Sequence, residues 1–313
     1  MSKQDLVIGQ AAGYNYRQVE PFLRTLKRSG FAGDIAWFVL ESDHQLRQQL
    51  EHHGVIVVPY ENQYPYFVDH SHYVDLPIED DGRNWHPATL RFFLYEAWLN
   101  RHGSHYKRVL HADTRDVIFQ CNPFSEPWPT GVHIFQEHPR LCIGNEPSNR
   151  AWIQACFGND VLQQIASKPI ACSGVILGSN PQWQRFLKDY NSIMNSSSFT
   201  GNGVDQATLN RLVNLKDAKS ALSLKVWDDD EWITSTESYF KPTKSLHWNP
   251  SARLVTGGRD VIPIVHQYDR NALLSLIWNR PIFLGSMGKK PWQTTRNLAV
   301  NLVWWIVSSA RNL

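Results

Sequence analysis

Short apolar runs alternate along the chain with stretches whose apolar residues recur at helical spacing. Leu6-Val-Ile-Gly9 reads as a buried strand, and Val19, Phe22, Leu23 and Leu26 then mark one helix face up to a stop at Gly30. Asp34-Ile-Ala-Trp-Phe-Val-Leu40 is a second strand, Asp43 caps a helix ending near Gly54, and Val55-Ile-Val-Val58 is a third strand. This alternation predicts a parallel sheet with right-handed crossovers. The polar, aromatic segment from Glu61 to Trp85 breaks the rhythm and reads as a long loop or insertion. A helix over His86 to Asn100 follows, with Pro87 in the first turn, where its missing N–H costs nothing. It feeds a strand through Val109 and Leu110.

Farther on, strands are predicted at Val132-His-Ile-Phe135, Gly174-Val-Ile-Leu-Gly178 and Ile262-Pro-Ile-Val-His266, and helices over Gln182 to Met194 and Val204 to Leu215. Asn195-Ser-Ser-Ser and Gly201-Asn-Gly203 have loop composition. The expected fold is α/β: a mixed, mainly parallel, Rossmann-like sheet flanked by helices, in a single fused domain. Residues 1–130 are expected to form a nucleotide-binding half, and residues 131–313 to complete the site, hold the second substrate and end in a helix.

A chain of 313 residues with 42% apolar and 12% aromatic content has ample material for such a core. Its formal charge of +2 and lack of a basic stripe give no electrostatic case for nucleic acid. The four cysteines (Cys121, Cys142, Cys156 and Cys172) form no C-x-x-C pair and no zinc spacing, which points to free buried thiols in a reducing compartment. The first residues lack the pattern of a signal peptide, and no run of about 18 apolar residues exists to span a bilayer. The expectation is a cytoplasmic protein. The segment Leu298 to Val307 is a docked helix or, through Trp304 and Trp305, a peripheral contact on the inner membrane face.

The chemistry concentrates after the Val109-Leu110 strand, where the turn carries Asp113 and Asp116 with Arg115 between them. Carboxylates at the carboxyl end of a strand lie where open α/β sheets bind ligands. Divalent cations that grip phosphates use one or two such carboxylates, with diphosphate and water completing the shell. A surface turn with a local Asp–Arg pair is the alternative.

Several segments, taken in order over most of the chain, resemble glycosyltransferases of the GT-A fold. Gly13-Tyr-Asn-Tyr16, Pro21-Phe-Leu-Arg-Thr-Leu26 and Gly30-Phe-Ala-Gly-Asp34 resemble the first βα unit of bacterial and plant members. His111-Ala-Asp-Thr-Arg-Asp116-Val-Ile-Phe-Gln resembles their D-x-D-type metal motif in a D-x-R-D form. Ala171-Cys-Ser-Gly-Val-Ile-Leu-Gly178 is similar to the strand lining the donor sugar, with Cys172 where an Asn is common. Gly203-Val-Asp-Gln-Ala-Thr-Leu-Asn210 resembles their D-Q-x-x-x-N helix, and Ile264-Val-His266-Gln-Tyr-Asp269 the late strand ending in a metal-ligand histidine. Gly288-Lys-Lys-Pro-Trp292 is reminiscent of a glycogenin-like ending, though it lies farther beyond His266 than in those enzymes.

The resemblance implies Mn²⁺ or Mg²⁺ held by Asp113, Asp116 and His266 against the diphosphate of a nucleotide-sugar donor, by default a UDP-sugar. Mixed carboxylate and imidazole ligands suit Mn²⁺. It also implies donor binding by Tyr14, Asn15, Arg91, Asp113, Ser173 and Gly174, with Tyr14 stacking on the base. Arg91 is either a phosphate ligand or part of a solvated helix face, and Arg115 pairs with a neighbouring Asp or points to the donor sugar. Asp205 binds sugar hydroxyls or caps its helix, and Gln206 lies near the anomeric carbon. Such an Asp-Gln pair favours retention of configuration; Asp228, Asp229, Asp230 and Glu231 are the candidate bases for inversion. Trp85, Trp227, Trp232 and Trp248 are sugar platforms or ordinary packing. The acceptor, a glycan, lipid or protein, is open.

Other classes fit less well. A nucleotidyltransferase needs a basic Gly-rich loop where Ala11-Ala-Gly-Tyr-Asn15 stands, and a haloacid-dehalogenase-type phosphatase needs an Asp where Arg115 stands. A dinucleotide dehydrogenase needs G-x-G-x-x-G, which is absent. A non-catalytic nucleotide- or carbohydrate-binding protein with a degenerate GT-A fold is the alternative from outside the enzymes.

Overall fold

The computed structural model describes residues 4–61, 67–69, 72–74, 83–125, 128–137, 141–215, 222–227, 233–235, 247–248, 254–255, 261–270 and 278. The elements in chain order begin β1 (Gln4–Gln10), α1 (Tyr16–Arg28), β2 (Asp34–Leu40), α2 (His44–His52) and β3 (Ile56–Tyr60). There follow β4 (Phe67–Asp69), β5 (His72–Val74), α3 (Pro87–His102), β6 (Tyr106–Ala112), β7 (Val117–Phe119), β8 (Val132–Gln136) and α4 (Pro147–Ile165). The chain continues with β9 (Ala171–Ser179), α5 (Asn180–Asn195), α6 (Val204–Asn214) and β10 (Leu224–Trp227). Last come β11 (Ile233–Ser235), β12 (His247–Trp248), β13 (Leu254–Val255) and β14 (Ile264–His266).

One nine-stranded sheet has the order β10-β8-β9-β6-β1-β2-β3-β4-β5. Only β4 and β9 run against the others, so the sheet is mixed and mainly parallel. Strands from before and after residue 130 belong to this same sheet.

Strand alternation explains the layering. Leu6, Ile8 and Val109 point into one core with α3 to α6, while Val7 and Leu110 point into the other with α1 and α2. Strands buried on both faces need apolar residues at every position, which is why they read as continuous runs. Each fully buried side chain of the size of Phe22 or Phe38 contributes about 1.5–3 kcal/mol.

Several elements differ from expectation, among them the short strands β10 to β13, which the sequence pattern does not predict. The predicted loop between Glu61 and Trp85 contains β4 and β5, an antiparallel pair that extends the sheet edge. β7 follows directly on the two-carboxylate turn and pairs with β14, outside the main sheet. α4 was not expected at all. It starts at Pro147 behind the capping Glu146 and breaks at Gly158, whose φ of 82° no regular helix contains. Among the described residues no helix is long and apolar enough to cross a membrane. The segment from Leu298 to Val307, Gly288 to Trp292, Asp228 to Glu231 and Trp232 lie outside the described residues.

Candidate metal centre and ligand cavity

Because β9 runs antiparallel to β6 and β8, its first residues lie at the same sheet edge as the last residues of β1, β6 and β8. The Asp113 N–H donates to Gly174 O (2.8 Å), and Thr114 Oγ1 donates to Gln10 O (2.6 Å). These bonds fix the turn after β6. In the ladder between β7 and β14, His266 stands opposite Val117, beside Asp116.

Asp113, Asp116 and His266 thus converge, with one ligand atom from each within 4.8 Å of the others. His266 Nε2 lies 3.6 Å from Asp113 Oδ2 and 3.8 Å from Asp116 Oδ1. Two ligands each about 2.1 Å from a six-coordinate cation stand about 3–4 Å apart, so the spacing fits a small divalent ion. Two further observations agree. Asp116 Oδ1 is buried without a hydrogen-bond partner among the described residues. A Cβ on Gly174 would lie 2.6 Å from His266 Nε2 and 2.7 Å from Asp113 Oδ2, so only glycine leaves this space open.

The local field calls for positive charge. Burial pushes the Asp116 carboxyl up to about 6 against the pull of His266. Burial acts the same way on Asp113, but Arg91 and then His266 hold that carboxyl well below the carboxylate range. Burial disfavours a charged His266, yet Cys172, Asp113 and Asp116 raise the imidazole well above its ordinary value. Cys172 Sγ lies 3.5 Å from His266 Nδ1, leaving Nε2 turned toward the carboxylates.

Arg91 is 7% exposed, which removes the solvated-face reading. Its Nη1 donates to Asp113 and its Nη2 to Asp205 Oδ2 at 3.0 Å. Asp205 also accepts from Ser173 Oγ (3.2 Å). It does not cap α6, because the N-cap is Gly203. Gln206 is occupied structurally. Its Oε1 accepts from Ser173 N (2.8 Å), and its Nε2 donates to Ala171 O and to Glu137 Oε1, each at 2.9 Å. Asn210 adds bonds to both polar groups of the Ala171 backbone, so the Gln-x-x-x-Asn pair ties α6 to β9.

Asp113, Asp116, His266, Arg91, Asp205 and Gln206 all border one cavity of about 830 Å³, within the range of small-molecule sites. Tyr14 lies at its wall, with the Arg115 guanidinium 5.8 Å from its ring centroid. Arg115 itself pairs with Asp269 at 3.2 Å. Asn15 stands apart from this cavity and caps α1, accepting from Gln18 N (3.3 Å). Trp85 is core, tilted against Phe93, and Trp227 ends an edge strand and donates to His133 Nδ1 (2.9 Å). The side chain of Trp248 lies outside the described residues. Cys156 and Cys172 are buried, while Cys121 and Cys142 are only partly so. Glu137, just past β8, was not expected in the cavity, where burial pushes its carboxyl up to about 7. Its place after an apolar run, at the same sheet edge as Asp113, was the available signal.

The protein is an α/β sheet bearing an acidic, histidine-containing cluster and an open cavity at one edge. No protein-family model matches the chain, and no curated protein matches it.

Proposed function

We propose that the protein is a metal-dependent glycosyltransferase of the GT-A type, taking a nucleotide-diphosphate sugar, by default a UDP-sugar, as donor. The observation that carries this reading is the convergence of Asp113, Asp116 and His266 around the space left by Gly174. These residues would hold Mn²⁺ or Mg²⁺, which supplies Lewis-acid stabilisation of charge growing on the departing diphosphate. Fold alone would not support the reading, but an ordered site does.

The chain's own groups have separable tasks. Arg91 links Asp113 to Asp205, so the metal-side and sugar-side carboxylates are oriented by one guanidinium. Asp205 presents its carboxylate to sugar hydroxyls while Ser173 Oγ steadies it. Tyr14 borders the part of the cavity nearest β1, where a base can stack. Gln206, with its amide bonded to Ser173, Ala171 and Glu137, acts by holding β9 in place rather than by attack at the sugar.

Asp116→Asn tests the reading. The variant should keep the wild-type fold and lose metal-dependent binding of UDP in isothermal titration. Binding as tight as the wild type's, with the same metal requirement, would contradict it.

A further inference from the structure

Four strand ends stand side by side at the cavity edge in the order β8, β9, β6, β1. Neighbouring strands are about 4.8 Å apart, so the ends of β1 and β8 are separated by about 14 Å. The nucleotide and metal reading uses the β1–β6 half. The β8 half has a different lining, with Glu137 past β8, Asn149 and Trp152 on the first turns of α4, and Asn202 ahead of α6.

This half is rigidly built. Trp152 is half-buried and packs on Gly203, where a Cβ would come within 2.3 Å of the indole. Gly203 also has φ +91°, so both its conformation and its lack of a side chain are needed to seat that ring. The Glu137 carboxyl is anchored through Oε1 by Gln206 Nε2. Asn149 Nδ2 donates to Glu146 Oε2 (2.7 Å), and Glu146 itself is engaged in capping α4 through Ser148 N and Asn149 N.

We infer that the β8 half of the cavity is a subsite for an uncharged sugar ring of the acceptor, with Trp152 as its platform and Glu137 as hydrogen-bond partner of its hydroxyls. The inference rests on the transferase reading and names the acceptor class which that reading leaves open. A sugar ring has an apolar C–H face and an edge of groups that both donate and accept. An indole beside a fixed carboxyl matches that pattern. Burial pushes the Glu137 carboxyl up to about 7, toward the protonated form that donates as well as accepts. A lipid chain would need a longer apolar wall than Trp152 and Leu141 provide. A phosphorylated or uronic-acid ring would meet Glu137 and Glu146, with Arg270 as the opposing charge.

The test is isothermal titration of the full chain with lactose, cellobiose and maltose, against glucuronic acid and glucose 6-phosphate. Each is measured with and without UDP and Mn²⁺. At least one neutral disaccharide should bind, and the charged sugars at least about tenfold more weakly. Trp152→Leu keeps apolar volume but removes the ring face and should weaken sugar binding about tenfold. Trp152→Phe should restore most of that loss, and Glu137→Ala, which removes the hydrogen-bonding group altogether, gives an independent loss without disturbing the indole. No binding of any neutral disaccharide in either condition, equal binding of charged sugars, or unchanged affinity in both Trp152→Leu and Glu137→Ala would overturn the subsite. UDP and Mn²⁺ binding by the wild type is read separately. Nucleotide binding without sugar binding refutes the subsite alone. Sugar binding without nucleotide binding refutes the transferase reading and, with it, the acceptor role.

Discussion

Substituting Gly174 by Ala places a methyl group at the centre of the candidate metal site. The added Cβ would sit 2.6 Å from His266 Nε2 and 2.7 Å from Asp113 Oδ2. Ordinary contact begins near 3.4 Å, so two ligands must each retreat by about 0.7 Å. Metal sites tolerate ligand displacements of only about 0.2 Å. Mutating a group that merely orients a ligand costs about 10–100-fold in metal affinity, so moving two ligands directly should cost at least about 100-fold, or about 2.7 kcal/mol. The same crowding should cost the apo protein about 1–3 kcal/mol of stability. Titration of Mn²⁺ in the presence of UDP reads the first effect, and urea unfolding without ligand reads the second. If Gly174→Ala binds Mn²⁺ and UDP like the wild type, the ion does not sit between these three residues.

Other outcomes follow from the same contacts. Arg91→Ala strips the shared partner from Asp113 and Asp205 and should destabilise the protein by about 3–5 kcal/mol in urea unfolding, as loss of one member of a buried charge cluster does. Gln206→Ala orphans Ser173 N in the interior and should cost about 1–3 kcal/mol of stability; no loss would contradict its tying of α6 to β9. For Glu137, burial raises the folded-state value to about 7, above that of the unfolded chain. The folded protein therefore binds the extra proton, and its contribution is complete below the unfolded value and lost as pH rises through about 7. Glu137→Gln should accordingly raise the melting temperature more at pH 8.5 than at pH 5, by the equivalent of about 1–3 kcal/mol after allowance for solvent screening. An equal change at both pH values would refute the burial argument.

The central strands were legible because burial on both faces demands unbroken apolar runs, as in Ile35 to Val39. α4 was not, because Gly158 and Asn159 interrupt its apolar rhythm and only one side of it packs. Its start was announced more clearly than its body, since Glu146-Pro147 combines a capping acceptor with proline at the first helical position. β7 was hidden because three residues immediately after a turn carry too little pattern to separate a strand from the turn itself. Asp113, Asp116 and His266 stood out because the first follows an apolar run, the second precedes one and the third ends one, which puts each at a sheet edge or beside one. The occupation of Gln206 could not be read in the same way. Its partners come from Glu137 and from Ala171 and Ser173, more than thirty positions away, and only the packed fold brings them together. Arg91 is a similar case, because its position on α3 does not reveal that Asp205 closes over it.

The most direct measurement is thermal stability against UDP, GDP, CDP and ADP, each with and without Mn²⁺. A ligand that binds only the folded state adds about 2.7 kcal/mol at a hundredfold excess over its dissociation constant. One nucleotide, UDP by default, should raise the melting temperature only when Mn²⁺ is present. No shift with any nucleotide, or the same shift without metal, would contradict a metal-dependent nucleotide-sugar site.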